Sequence, residues 1–330
     1  MSERYGIGVD VGGTKIMAAV VDLESGEVIA SAKKRTVGNK EKDLGKRIIS
    51  AIEDCLSLAK LPENVRPITV GVGAAGQVNR EKGILIAAPN LGVPPNYPLA
   101  KIIADRFKGS VRLGNDVEVA TLGELHYGAG RDFDNFVCVF VGTGIGGGIV
   151  HDSKLYRGSS GTAGEIGHIV VSAEGRLCGC GGRGHLEAYS SRTAITRTLL
   201  GELKRGKRSI LTELLAAEGI ADPTIATSVA IRSKVIAQAV QAGDALVINT
   251  LTEAAEFLGL GLSSIINFYN PRRIILGGGL IEAVEMFFEY TLDEAKHESL
   301  ASAASIVDIV RAKLGDYSGV VGAALMGQHS

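Results

Sequence analysis

The sequence predicts an α/β protein made of two related halves with a cleft between them. Three observations carry the prediction. Residues 5–36 read as a β-meander with glycines at its first turn. Residues 136–156 repeat that pattern. Elsewhere, apolar strand-like runs alternate with stretches of helical periodicity.

Taken in order, "YGIGVDVGG" is an apolar run that ends in glycine, "TKIMAAVVD" a second strand, "ESGE" a turn and "VIASAKKRTV" a third strand. Residues 40–60 set Ile48, Ile49, Ile52, Leu56 and Ala59 at helical spacing. "ITVGVGAAG" is a strand running into a glycine-rich loop, "PLAKIIADRF" a helix and "VRLGND" a short strand. The second meander is "FVCVFVGTGIGGGIVHDSKLY". Helical pattern fills residues 187–218 and 227–269, with short breaks. "RRIILGGGL" is a strand ending in three glycines before a helix, and "GVVGAALMG" is a closing helix.

Composition narrows the function. The 330 residues are 45% hydrophobic and 22% charged, which suits a soluble protein of about two domains. A net charge of −1 gives no electrostatic case for nucleic acid or an anionic membrane. No run is expected to reach the roughly 20 apolar residues of a spanning helix. The start "MSERYGIGVDVGG" lacks the regions of a signal peptide, so a cytoplasmic chain with reduced thiols is expected. Cys55 and Cys138 fall in apolar patterns and read as small core residues. Cys178 and Cys180 stand apart, surrounded by glycine.

"GTGIGG", residues 142–147, matches the dinucleotide pattern G-x-G-x-x-G. That motif needs a helix after the glycines. Here "GGIVHDSKLY" follows, which reads as a strand, and "DVGGTK" likewise leads from strand to strand. No G-x-x-x-x-G-K-[ST] occurs. Two glycine hairpins facing each other across a cleft would instead point backbone N–H groups at a polyphosphate. Asp10 beside such a turn suits Mg²⁺, and Thr14 and Lys15 would add phosphate donors. The same residues would also make two ordinary hairpin turns.

Six segments in order resemble the ROK family of sugar kinases, within the actin–hexokinase-like ATPase superfamily. They are "GVDVGGTK", "GNDVEVATLGE", "VGTGIGGGIV", "GEIGH" with "CGCGGRGHLEAYSS", "ILGGGL" and "LGDYSGVVGAALMG". The resemblance covers nearly the whole chain. It implies a two-lobed actin/hexokinase-like (ribonuclease H-like) fold. The implied domains are residues 1–116 plus 313–330, and residues 117–312 with a zinc-binding loop.

The resemblance also implies chemistry. Asp116 falls at the family's catalytic aspartate and would take the proton of a sugar hydroxyl during phosphoryl transfer. Glu165, His168 and Glu187 would bind sugar hydroxyls. Asn115, Asn90 and Gly76 are further sugar-side candidates, and each also reads as a turn residue. Glu118 and Glu124 read as solvated or capping residues. Gly12, Gly13, Gly142, Thr143 and Gly144 would line the phosphates, and Gly277, Gly278 and Gly279 the adenosine side.

His168, Cys178, Cys180 and His185 make a Cys₂His₂ set for a structural zinc ion. Cys-x-Cys is an uncommon zinc spacing, and a reduced loop with a histidine in a helix cap is the other reading. Two departures from the family pattern stand out. His185 occupies the place of a usual third cysteine. "GAAGQVN", residues 73–79, replaces a usual Pro-Gly-Pro-Val-Asp type sequence near the sugar.

The expected function is therefore ATP-dependent phosphorylation of a hexose, with glucose to glucose 6-phosphate first. The alternatives are an N-acetylmannosamine or other hexose kinase, or a sugar-sensing regulator without a DNA-binding domain. Asp10 already belongs to the first glycine loop, so an N-terminal helix-turn-helix is not expected. Polyphosphate would fit the same loops as ATP. A homodimer or higher homo-oligomer is expected from the apolar faces of the long helical region.

Overall fold

A computed structural model of the chain describes residues 4–36, 44–61, 69–220, 222 and 230–328. The opening meander forms from β1 (Tyr5–Val11), β2 (Lys15–Asp22) and β3 (Val28–Arg35), paired antiparallel in turn. Helix α1 (Leu44–Ala59) buries Ile48, Ile52 and Cys55. Residues 40–43 of that expected helix lie outside the described residues. Strand β4 (Thr69–Ala74) leads to a small hairpin of β5 (Gln77–Asn79) and β6 (Ile84–Ala87). Then come α2 (Leu99–Phe107), β7 (Ser110–Asn115) and α3 (Asp116–His126). Strands β1, β4 and β7 are mutually parallel, and the sheet order is β3-β2-β1-β4-β7.

The second sheet repeats that plan. Strands β8 (Phe136–Val141), β9 (Ile145–His151) and β10 (Lys154–Tyr156) form its meander. Helices α4 (Glu187–Ser190), α5 (Arg192–Lys204), α6 (Leu211–Ala217), α7 (Ser233–Gln241) and α8 (Ala245–Tyr269) follow. Residues 227–229, read as the start of a helix, lie outside the described residues. Strand β11 (Arg273–Gly277) pairs parallel with β8. After α9 (Gly279–Ala283), α10 (Glu285–His297) and α11 (Ala301–Ala304), β12 (Asp308–Arg311) pairs parallel with β11. The order is β10-β9-β8-β11-β12, so in both sheets the third, second and first strands precede two later ones.

The chain closes on α12 (Ser318–Gln328), whose packing explains a peculiarity of the sequence. In β1 the period of two puts Ile7, Val9 and Val11 on one face, in a core shared with α1 and α2. Gly6, Gly8 and Asp10 fall on the other face. A Cβ at Gly8 would overlap the Val320 carbonyl, one at Gly71 the Ala323 carbonyl, and one at Gly322 the Val119 carbonyl. Glycine is required at these positions because backbones of strand and helix nearly touch there. Met17, Ala19, Val21, Val320, Val321 and Ala324 fill the rest of that face.

The chain divides into two compact units. One is Met1–Asp134 with Val150–Tyr156 and Ala312–Ser330; the other is Asn135–Ile149 with Arg157–Arg311. The first unit runs past residue 116 because α3 packs against α12 and β4. The second has its own core, built around Val137, Val139, Leu258, Leu262, Ile274 and Phe287.

One sequence expectation is corrected here. Helix α8 has 25 residues and is apolar enough to cross a membrane by length and composition, contrary to the expectation that no run would qualify. Half of its most apolar window is buried within the protein, among the residues of the second core. Its apolarity thus answers to burial against several neighbouring helices. Asp244 caps its N-terminus by accepting from Val247 N at 3.0 Å, and Asn270 ends it in the left-handed region at φ 51°.

Candidate active site

In the first unit the candidate residues gather at the carboxyl ends of parallel strands, where α/β sheets characteristically bind ligands. Asp10 lies near the end of β1, on the α12 face, beside Gly319 at the start of α12. The turn after it is closed by Gly12 N donating to Lys15 O at 2.9 Å. Thr36 braces that turn, its Oγ1 donating to Gly12 O at 2.5 Å and its N to Thr14 O at 3.1 Å. Asn90, exposed in a short 3₁₀ turn, has its Cβ next to Gly13.

Electrostatics single out Asp10. Burial and the negative charge of Asp116 push its carboxyl up to about 7; Lys15 opposes the shift and Asp316 adds to it. Asp316 precedes α12 and pairs with Lys15 at 3.2 Å and Lys33 at 3.3 Å. Burial works against it, yet the two lysines hold the Asp316 carboxyl below its ordinary value. No local pattern in the sequence marks Asp316, which lies 301 residues from Lys15.

Asp116 is the first residue of α3, and Asn115 is its N-cap. Asn115 Oδ1 accepts from Val117 N at 2.9 Å and Glu118 N at 3.3 Å. Its Nδ2 donates to Gly76 O at 3.3 Å. Glu118 returns the bond, accepting from Asn115 N at 3.2 Å, which completes a capping box. The cap therefore uses the side-chain oxygen of Asn115. Gly76 sits at φ 122°, against the Ala87 carbonyl. Glu124 is fully buried: its carboxylate accepts from Ala129 N, Lys313 N, Leu314 N and Ser318 Oγ. It is neither solvated nor a helix cap, the two roles expected of it: buried in the protein, it ties the end of α3 to the segment before α12.

The remaining candidates lie in the second unit. The turn Gly142-Thr143-Gly144 follows β8, and Gly278 follows its neighbour β11. Gly278 has φ 103° and lies against the Val141 carbonyl, so both glycine segments leave the sheet at the same edge. Arg192 and Thr193 at the start of α5 hold the first turn. Arg192 N donates to Gly142 O at 3.0 Å, Arg192 Nη2 to Thr143 Oγ1 at 3.1 Å and Thr193 Oγ1 to Thr143 O at 2.6 Å. Glu187 reaches the same turn: its Oε2 accepts from Ile145 N at 2.9 Å, in space that a Cβ at Gly144 would take.

Glu165 and His168 flank a 3₁₀ turn laid over the start of β9, where Gly167 meets the Ile145 carbonyl. His168 turns Nε2 toward Glu165, at 3.9 Å, and Nδ1 toward Cys178 Sγ, also at 3.9 Å. Cys180 Sγ lies 3.1 Å from His185 Nδ1. One ligand atom from each of His168, Cys178, Cys180 and His185 lies within 4.8 Å of all the others. The knuckle is shaped by Gly181 N donating to Cys178 O and Cys178 N to Gly182 O, at 3.0 and 2.8 Å. Two thiols and two imidazoles converging so closely are the donor set of a closed tetrahedral zinc site. Tyr189 anchors the loop from beneath, accepting from Arg176 N at 2.7 Å.

The two sheets, each a meander followed by parallel strands, define the class: an actin/hexokinase-like α/β protein. The ROK family model matches residues 6–329, and the chain belongs to the ROK family. It is similar to the glucokinase of Streptomyces coelicolor, 34% identical over 96% of both chains. A crystal structure of a ROK family glucokinase from Streptomyces griseus, in complex with glucose and AMPPNP, superposes with a TM-score of 0.82. That protein is 32% identical, and the match covers 99% of this chain and 100% of that one. The xylose repressor of Caldicellulosiruptor bescii is 28% identical over 97% of this chain and 77% of the repressor.

Proposed function

We propose that this ROK-family sugar kinase transfers the γ-phosphoryl group of ATP to the 6-hydroxyl of a hexose, glucose first, with Asp116 as general base. The observation that carries the reading is Asp116 at the head of α3, in one electrostatic cluster with Asp10 and the hairpin 12–15. Support also comes from the similarity to glucokinases over nearly the full chain. In this reading the sugar hydroxyl gives its proton to Asp116 as its oxygen bonds phosphorus, while the β–γ bridge bond breaks and ADP leaves.

Gly12, Gly13, Thr14, Lys15, Gly142, Thr143 and Gly144 present backbone and side-chain donors to the phosphates, and Gly277, Gly278 and Gly279 face the nucleoside. Gly76, Asn90, Asn115, Glu165, His168 and Glu187 bind and orient the sugar; Asn115 does so through the second N–H of its amide, the first being bonded to Gly76 O. Asp10 would hold Mg²⁺, which supplies neutralisation of the polyphosphate charge. The fit is electrostatic, since a carboxyl raised to about 7 by burial and by Asp116 gains most from a nearby cation. Zinc on His168, Cys178, Cys180 and His185 would be structural, since four protein ligands leave no open position. His168 then presents its other ring nitrogen, on the Glu165 side, to the sugar. A homodimer in the cytoplasm completes the reading.

The test is a coupled assay with ATP against glucose, other hexoses and N-acetylhexosamines, run beside Asp116→Asn. Glucose should be the preferred acceptor, and the variant should lose about 10²–10⁴-fold in kcat. A second reading, another hexose or N-acetylmannosamine as substrate, is favoured by the departure at residues 73–79 and is decided by the same panel. The length shared with the xylose repressor favours a sugar-sensing role, which predicts thermal stabilisation by sugar without phosphate transfer. Wild-type protein that phosphorylates no sugar would sink the kinase reading.

A further inference from the structure

We propose that Arg80 and Glu118 are positioning residues that lock the head of α3, and with it Asp116, to the loop that follows β4. The inference rests on the assignment of Asp116 as base, and deepens it. Arg80, directly after β5, pairs through Nη2 with Glu118 Oε2. That same oxygen accepts from Asn115 N at 3.2 Å. Asn115 in turn caps α3 through Oδ1 and holds Gly76 O through Nδ2. One closed circuit thus runs from residue 76, through 115 and 118, to residue 80. Asp116 lies inside it, between Asn115 and Glu118, whose backbone N–H groups are each bonded to the other's side chain.

Charge explains why an arginine is needed. Glu118 stands two residues from Asp116 on one helical turn, and Asp116 already faces the charge of Asp10. A third uncompensated carboxylate there would repel Asp116 from the position the cap sets. The pair is not an ordinary surface bridge, because the Glu118 side chain is only 13% exposed and Arg80 32%. Breaking such a pair leaves a poorly hydrated charge behind. Arg80 Nε is buried without a hydrogen-bond partner among the described residues, so Glu118 is what orients the guanidinium. The segment tied down in this way, residues 76–80, overlaps the stretch that departs from the family pattern. Its sequence therefore bears on the geometry of the base as well as on the sugar.

The test uses full-length Arg80→Met, Arg80→Lys and Glu118→Gln. Glutamine keeps an acceptor for Asn115 N and removes only the ion pair. Arg80→Met and Glu118→Gln should each lower kcat about 10- to 100-fold, as expected for a misplaced catalytic group, with the nucleotide KM within about twofold of wild type. Arg80→Lys should recover most of the loss, and the double variant should be no worse than either single one. In substrate-free protein, the Asn115, Val117 and Glu118 amides should exchange faster in Arg80→Met, with those of β8 and β11 unchanged. Unaltered exchange at 115–118 overturns the lock, and faster exchange with unaltered kcat overturns its role in positioning the base. Wild-type protein inactive on every sugar overturns the functional reading instead, and the exchange measurement, made without substrate, then still decides the lock.

Discussion

Asp10 is the residue on which the most forces converge. The alternation of β1 sets it on the glycine face, the close approach of α12 half-buries it, and Asp116 and Asp316 add like charge. Its carboxyl is raised from 3.8 to about 7 in the folded protein. Between these values the folded state holds a proton that the unfolded state has lost. Its contribution to stability is therefore present below about pH 4 and is lost as pH rises through 7. Asp10→Asn should accordingly gain thermal stability relative to wild type as pH rises from 5 to 8, in protein kept free of nucleotide and divalent ions. A difference in Tm between the two that stays flat across this range would contradict the assignment.

How much of the site was legible differs by residue. "GND" marked Asp116 because it ends a strand-like run and resembles the family segment that carries the catalytic aspartate. Glu124 had none: its partners Lys313 and Leu314 are 189 and 190 positions away, so burial could not be told from solvation. For Asn115, the cap uses Oδ1 and leaves the amide nitrogen for other partners, a division that the sequence does not reveal.

At the scale of elements, the local periods were readable and the reasons for them were not. Both meanders, the long helices and the strand before each glycine turn stand where the pattern put them. The glycines inside "YGIGVDV" and "TVGVGA" carry no local sign of their purpose, yet they serve a helix more than 300 residues from β1. The knuckle at 178–185 is the reverse case, since its cysteines and glycines were conspicuous and its isolated bridges, Val170 with His185 and Leu177 with Arg183, supply little structure of their own. In the zinc reading proposed above, such a loop is held in shape by its ion. Chelation of zinc should lower Tm by about 5 °C, a loss of about 2 kcal/mol for a unit of this size, and should weaken sugar binding in step. Metal analysis finding no zinc in active protein would remove that account.

On the scale of the whole molecule, the first unit is assembled from sequence-distant pieces, with α12 covering Met17, Ala19 and Val21. A chain ending after Arg311 would bare that face while leaving the core of the second unit whole. Limited proteolysis of such a chain should cut within residues 1–134 and spare most of 157–311. Uniform resistance would show that α12 is dispensable to the first sheet.

The discontinuity has a consequence for synthesis. Residues 1–134 leave the ribosome well before residues 318–328, the helix that seals their sheet. The second unit has all its strands and helices available before that helix is made. The first sheet must therefore wait with one apolar face open until α12 has been synthesised. The glycines along β1 and β4 then hold a vacant berth that only α12 fills.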